Sequence, residues 1–246
     1  MTVGVVGAAG RMGSLVCATV AAQADLKLVA EVDPSFTDHR AGGLDRLVAA
    51  GADVVVDFTH LEAARSNLEF YADHAIHAVV GTSGFTAADV DHLAPRFRRS
   101  NGLIVPNFAI GAVLMIRFAE QAAPWFDTAE IIELHHDAKV DAPSGTAIGT
   151  AERMAAARPA WAPDPTTTET IPGARGATGP GGIPIHSVRM RGLTAHQEVV
   201  LGAVGQTLTL RHDSFDRESF MPGVVLAVRR VPELSGLTVG LDQVLF

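Results

Sequence analysis

The chain has 246 residues, 48% of them hydrophobic and 19% charged, which is ample for a sizeable core in one large domain or two modest ones. Its net charge of −8, with no basic run, zinc-ligand spacing or aromatic-studded basic stripe, argues against a nucleic-acid partner. No apolar stretch reaches the length of a membrane span, the N-terminus lacks a charged segment before an apolar one, and Cys17 is the only cysteine. These features exclude a disulfide within the chain and lead us to expect a cytoplasmic protein with no membrane partner.

The first unit is a β-rich apolar run, Thr2–Val6, a glycine-spaced turn, Gly7-Ala8-Ala9-Gly10-Arg11-Met12-Gly13, and a helical run, Ser14–Ala24. Strand, glycine turn and helix open a dinucleotide-binding fold. Gly7 suits the tight turn, Gly10 the approach of a pyrophosphate, and Gly13 close packing of helix on sheet. The spacing is G-x-x-G-x-x-G, weaker as a signal than the strict G-x-G-x-x-G. A second strand, Leu26–Val32, ends at Asp33, about 20 residues past the turn, where a carboxylate would bond the adenosine ribose hydroxyls. A carboxylate there repels a 2′-phosphate, which Arg11 and Arg40 partly compensate. NADH is expected to work well and NADPH to be accepted. Cys17, at an apolar position of the first helix, reads as core.

Further on, a helix near Leu44–Ala50, a strand Asp53–Asp57, a helix Leu61–Asp73, a strand His77–Val80, a helix Ala87–Arg99 and a strand Leu103–Pro106 alternate. This alternation predicts an α/β protein with a Rossmann-type doubly wound parallel sheet. Ligands then lie outside the carboxyl ends of the strands. Three loops leave those ends: Asp57-Phe58-Thr59-His60, Gly81-Thr82-Ser83-Gly84 and Pro106-Asn107-Phe108-Ala109. Small and hydroxyl residues in them let a nicotinamide and its ribose approach the backbone.

From about Asn107 the pattern changes: a helix Gly111–Ala123, a strand Ala129–Leu134, then His135-His136-Asp137-Ala138-Lys139-Val140-Asp141-Ala142-Pro143-Ser144-Gly145-Thr146-Ala147. Three proton donors, His135, His136 and Lys139, fall within five positions. Pro143-Ser144-Gly145-Thr146 opens a helix whose free N–H groups and dipole make an anion cradle. Taken singly, the histidine pair reads as surface and Ser-Gly-Thr as an ordinary helix cap; together they suit a small acidic substrate protonated as it reacts. Arg158–Ile183, rich in Pro, Gly and Thr, reads as a flap or a surface loop. Three β-like runs, Pro184–Arg191, His196–Val204 and Gln206–His212, predict an antiparallel or mixed sheet, and a helix Asp216–Arg230 returns to the first domain, with Pro222 breaking or kinking its first turns. The expected organisation is a dinucleotide-binding domain from 1–106 and 216–246 with an inserted α+β domain, 107–215, for substrate binding and oligomerisation.

These motifs carry a resemblance. The glycine turn, Asp57-Phe58-Thr59, Gly81-Thr82-Ser83-Gly84, Asn107-Phe108-Ala109-Ile110-Gly111, Glu133 to Ala147, His196-Gln197-Glu198-Val199 and Arg211-His212-Asp213-Ser214 occur in order across essentially the whole chain. The chain resembles the 4-hydroxy-tetrahydrodipicolinate (dihydrodipicolinate) reductase family, in wording close to actinobacterial members. The resemblance implies NADH- or NADPH-dependent reduction, with loss of water, of a cyclic imine dicarboxylate in diaminopimelate and lysine biosynthesis, by a homotetramer joined through its substrate-domain sheets. It implies that Gly7, Ala8, Ala9, Gly10, Arg11, Met12 and Asp33 hold the adenosine and pyrophosphate. Gly81, Thr82, Ser83, Val105, Pro106, Asn107 and Phe108 would line the nicotinamide side. His135 would be proton donor and acceptor and Lys139 a proton donor, with His136, Gly145 and Thr146, joined by Ser144 in the cradle, binding substrate.

Chemically, a hydride added next to an imine leaves an electron-rich intermediate that must be protonated. Which of His135 and Lys139 delivers that proton stays open, as does a pure charge-clamping role for Lys139. Ala9 stands where some relatives carry a basic residue, and Ser83 replaces a common Thr. Arg217 reads as a hinge or carboxylate contact, or as a plain surface residue. Three other functions stay open: a non-catalytic nucleotide sensor, an aspartate-semialdehyde or homoserine type of dehydrogenase, and a reductase of a related imine in a secondary pathway. The first has no need of His135 and Lys139, and Cys17 is badly placed for the cysteine chemistry of a semialdehyde enzyme.

Overall fold

The computed structural model describes all residues, 1–246. The chain divides into two compact units, 1–110 with 217–246, and 111–216. The first boundary falls after Ile110 rather than after Pro106. The Val105 amide still donates to Val80 O, and the Phe108 carbonyl lies against Gly223, so the loop after Ile104 stays with the first unit.

In the first unit the strands are β1 (Thr2–Val6), β2 (Lys27–Val32), β3 (Val54–Asp57), β4 (His77–Val80), β5 (Gly102–Ile104) and β11 (Leu237–Val239). They form one sheet in the order β11-β5-β4-β3-β1-β2, and every pairing is parallel. Burial on both faces explains the continuous valine runs of β1 and β3. Helices α1 (Arg11–Ala21), α2 (Asp45–Ala49), α3 (Leu61–Asp73), α4 (Ala87–Leu93) and α7 (Met221–Arg230) complete the unit. One core cluster gathers Val55, Leu68, Tyr71 and Ile104. The chain reverses direction across the sheet between β1 and β3, the switch point at which such sheets bind ligands.

Sequence and structure differ at element ends. Helix α1 begins at Arg11, not Ser14, because Gly10 takes the extended conformation of a cap. Helix α4 gives way at Leu93 to a single 3-10 turn, Ala94–Arg96, with Pro95 at its start. Asp216–Arg230 splits into a 3-10 turn, Arg217–Phe220, and α7, whose first turn accommodates Pro222. Strand β11 was not foreseen, since three residues are too short to show periodicity.

Asp57, at the end of β3, is fully buried. It accepts from Tyr71 Oη (2.7 Å), Asn67 Nδ2 (2.8 Å), and the Thr59 amide (2.9 Å) and hydroxyl (2.7 Å). It therefore fixes the loop that leaves the switch point. Burial, then the charge of Asp57, push the Tyr71 hydroxyl well above the usual phenol range.

The second unit holds α5 (Ile110–Ala122, beginning one residue earlier), β6 (Thr128–His135), α6 (Gly145–Ala157), β7 (Ala177–Thr178), β8 (Pro184–Arg189), β9 (Ala195–Ala203) and β10 (Gln206–Ser214). The sheet order is β10-β9-β6-β8-β7, mixed, with β6 and β8 parallel. Strand β6 alternates strictly: Ala129, Ile131 and Glu133 are buried on the face whose core also contains Ala147, Ala151 and Met154 of α6. Residues 158–183 touch the rest of the unit at several points. Trp161 packs on that core, the Ala162 amide donates to Asp127 O, and Arg175 bridges Glu130 and Asp164.

Two substitutions test this architecture. Asp57→Ala leaves the buried Tyr71 hydroxyl and the half-buried Asn67 amide without their acceptor; a loss of about 1–3 kcal/mol is expected, the cost of an unsatisfied buried donor, read as a lower Tm. Gly13→Ala places a Cβ 2.0 Å from Gly7 O. Helix α1 must shift to admit it, and a loss of about 1–3 kcal/mol is expected by the same measurement.

Candidate active site

In the first unit, the residues expected at the nucleotide stand at the switch point. Gly7 has φ +76°, and a Cβ on it would sit 2.8 Å from Phe58 O, so only glycine serves there. Gly10 caps α1 with no side-chain bond, and the first turn holds no acidic residue. The amides of Arg11, Met12 and Gly13 thus have no partner within the helix and suit a pyrophosphate. Ala8 is buried behind the turn. The Ala9 amide donates to Asp33 Oδ2 (3.1 Å), and the Ser35 amide and hydroxyl donate to Oδ1 (3.0 and 2.6 Å). Partial burial raises the Asp33 pKa, but these bonds outweigh it and hold the carboxyl below its ordinary value. The group is ionised and still exposed enough to accept from a diol. Arg40, a candidate for a 2′-phosphate, is occupied: it bonds Glu31 and Asp38 and stacks over Phe36 at 3.9 Å. Arg11 is exposed. Cys17 is buried, and desolvation, then the charge of Glu31, push its thiol up to about 12, so it is no nucleophile.

The two remaining loops of this unit meet on Phe58. Its ring fills the space where a Cβ on Gly81 would stand and contacts Phe108 at 5.5 Å between centroids. Thr82 Oγ1 donates to Thr59 O (2.7 Å), and the Ala109 amide to Asn107 Oδ1 (2.9 Å). Thr82, Ser83, Gly84, Ile104 and Pro106 line a cavity of about 360 Å³ in this unit. Val105, buried at 0% exposure, backs the strand end. Asp57 is consumed by structure and offers a ligand nothing.

In the second unit, β6 delivers Glu133 and His135 to one face, two residues apart. His135 Nδ1 lies 2.5 Å from Glu133 Oε2. Burial lowers the His135 pKa and the Glu133 carboxylate raises it. Lys139 and Arg189 lower it further, and the net position is below the ordinary value. The net direction favours the neutral imidazole. Arg189 of β8 meets Glu133 with both terminal nitrogens, Nη1 to Oε2 and Nη2 to Oε1, each 2.8 Å. His136 is exposed beside them. Lys139 Nζ reaches both oxygens of Asp141 at 2.8 Å.

Helix α6 follows directly. Ser144 caps it, its hydroxyl accepting from the Ala147 amide (3.2 Å). The amides of Gly145 and Thr146 are left for an anion, no acidic residue occupies the first turn, and nothing lies within 4 Å of a Cβ built on Gly145. Inside the unit, Gln197 Nε2 donates to Thr150 Oγ1 (2.8 Å), which donates to Thr146 O (2.7 Å). Glu133 thus ties the His135 ring to the Ser144 amide that opens α6, with His136 and Lys139 on the chain between them and Gly145 and Thr146 in the first turn that follows. Sequence reasoning missed Glu133, Arg189 and Asp141 as participants. An acid in the apolar phase of β6 was a usable signal for Glu133; Arg189 is identified only by the β6–β8 register, which sets it opposite His135.

Similar proteins match both halves of the chain. Family models described as dihydrodipicolinate reductase, N-terminus, and dihydrodipicolinate reductase, C-terminus, match residues 1–108 and 111–245. The 4-hydroxy-tetrahydrodipicolinate reductase of Mycobacterium marinum is 54% identical over 249 residues, covering 100% of this chain and 99% of that protein. That of Nocardia farcinica is 53% identical over 250 residues, covering 99% and 98%. A dipicolinate-bound dihydrodipicolinate reductase from Paenisporosarcina sp. TG-14 superposes with a TM-score of 0.90 at 38% identity, over 99% of each chain. With both family models matched in order along nearly its whole length, the chain belongs to the dihydrodipicolinate reductase family.

Proposed function

We propose that the protein is a 4-hydroxy-tetrahydrodipicolinate reductase. It reduces its cyclic imine dicarboxylate to tetrahydrodipicolinate with loss of water, in diaminopimelate and lysine biosynthesis. The observation that carries the reading is the 133–147 segment, folded so that His135, Lys139 and an open helix N-terminus belong to one local structure.

A pyridine nucleotide supplies hydride when bound. The chain's own residues do the rest. Gly7, Ala8, Ala9, Gly10, Arg11 and Met12 hold the pyrophosphate at the start of α1, and Asp33 takes the ribose hydroxyls. Gly81, Thr82 and Ser83, with Val105, Pro106, Asn107 and Phe108, bound the nicotinamide side. His136, Ser144, Gly145 and Thr146 take the substrate carboxylates, while His135 and Lys139 handle the proton. Joining of copies into a homotetramer is supported by the second sheet. Ile132, Leu134, Val188 and Val200 share the face opposite Ile131 and Val199 and are only half-buried.

Coupled turnover tests the reading. The condensation product of pyruvate and aspartate semialdehyde is supplied, and NADH and NADPH oxidation are followed separately. We expect oxidation of both. Lys139→Ala and His135→Ala should each lose about 10²-fold or more in kcat, the size of a general acid–base contribution, with nucleotide affinity intact. Tight nucleotide binding without oxidation would instead favour a sensor.

The nucleotide ratio is a separate outcome. Asp33 is ionised and Arg40 is engaged, so NADH should be used at least as well as NADPH, and acceptance of the 2′-phosphate should rest on Arg11. Arg11→Ala is expected to lower kcat/KM for NADPH about tenfold, or 1.4 kcal/mol, and to change that for NADH far less. Equal losses with both nucleotides would contradict it.

A further inference from the structure

Glu133 and Arg189 have no part in the roles assigned so far, yet they form a bidentate charged pair in the second unit. Glu133 is fully buried. Both of its oxygens are taken twice: Oε2 by Arg189 Nη1 and His135 Nδ1, and Oε1 by Arg189 Nη2 and the Ser144 amide at 3.2 Å. Ser187 stands opposite it on β8. Gln197 stands directly opposite on β9, but its Nε2 donates to Thr150 rather than to Glu133. Arg189 Nη2 also donates to Asp141 O at 2.6 Å. Well-packed apolar residues can replace a buried ion pair at little or no cost in stability, so stability alone is a poor account of this one.

Chemistry gives a better one. An ionised carboxylate only accepts hydrogen bonds, so the ring nitrogen facing it must carry the proton. Nδ1 of His135 is then the N–H and Nε2 the bare nitrogen. The same carboxylate fixes the amide that opens α6, and Arg189 fixes the backbone at Asp141, on the loop that carries Lys139. We infer that Glu133 and Arg189 are the positioning pair of the acid–base site: Glu133 locks His135 in the Nδ1–H tautomer, so that Nε2 exchanges the reaction's proton, and Arg189 keeps that carboxylate ionised while holding the 137–144 loop. The role in turnover rests on the reductase reading; the tautomer does not.

The charged groups around the imidazole are Glu133 on its own strand, Arg189 on β8, and Lys139 and Asp141 on the following loop. The groups facing it from α6 and β9, Ser144 and Gln197, are neutral. Removing the Glu133 charge therefore takes away the one group that raises the His135 titration and leaves two cations that lower it.

The first measurement is nitrogen NMR of the histidine-labelled parent, with His135 assigned by its absence in His135→Ala. The Nδ1–H tautomer is expected at neutral pH; an Nε2–H tautomer overturns the proposal whether or not the protein is a reductase. Glu133→Gln, whose amide can donate to Nδ1, should move the His135 midpoint to lower pH. It should also cost about 10²-fold in kcat with KM within about threefold. In the His135→Ala background the same substitution should cost nothing further, because the two residues act as a unit. An equal loss in both backgrounds, or an unmoved midpoint, would reduce Glu133 to a packing role. If Glu133→Gln does not fold, the parent spectrum alone decides. A parent with the expected tautomer and no turnover would sink the reductase reading and leave the dyad standing.

Discussion

A carboxylate that water cannot reach organises the second unit. Glu133 sits in the buried phase of β6, where the strand otherwise sends alanine and isoleucine into the core. A lone buried charge costs several kcal/mol, so the fold must bring every donor to it. The guanidinium comes from β8 through the parallel register, the imidazole from two residues further along β6, and the Ser144 amide from the start of α6. Burial raises the Glu133 pKa, but the bonds it accepts, that from Arg189 foremost, together outweigh it and hold the carboxyl below its ordinary value. The end of β6, the start of α6 and the distant strand β8 are thus fixed relative to one charge, and the first two carry the His135 imidazole and the anion cradle.

The first unit repeats the device with a different purpose. Asp57 ends β3 as Glu133 nearly ends β6, and it too is sealed and fully bonded. Its donors, however, are neutral, and none of them is a candidate for chemistry. What Asp57 fixes is the backbone at Thr59, whose carbonyl receives Thr82, and the Phe58 turn against which Gly7 packs. Rigidity at the strand ends is the precondition for a nucleotide site made mostly of backbone: a turn of three glycines can present its amides only if the neighbouring loop does not move into the space that the missing Cβ atoms leave.

The parallel sheet was legible because β1 to β5 and the helices between them have clean periods bounded by glycine and proline, and α3 and β4 fall at the residues their patterns mark. The candidate site was legible in part for a different reason: its functional groups lie within a dozen residues, 135 to 146, so local order sufficed. What was missed depends on distance. Arg189 reaches Glu133 across 56 positions of chain, and no spacing rule joins them. The 158–183 stretch reads as loose by composition, yet Arg175, Trp161 and Arg158 tie it down through contacts that composition does not encode. Strand β11 exists because β5 offers an edge, not because Leu237–Val239 favours extension on its own.

Burial also decides which charges a guest can use. The acidic substrate expected from the proton donors and anion cradle at 135–146 would have to be drawn to a chain of net charge −8. The structure gives each cation there a built-in partner: Lys139 has Asp141, Arg189 has Glu133, and Arg191 has Asp137. These pairs are not equivalent. The Asp141 side chain is 59% exposed, so releasing it to water costs little, whereas Glu133 is sealed and cannot be released without stranding its charge. An anionic guest can therefore take Lys139 from Asp141, but not Arg189 from Glu133. The exchangeable pair belongs to the loop that leads into the open amides of Gly145 and Thr146, and the permanent pair is bonded to His135 through Glu133. The division between groups that bind and groups that hold follows from which carboxylate the fold leaves in water.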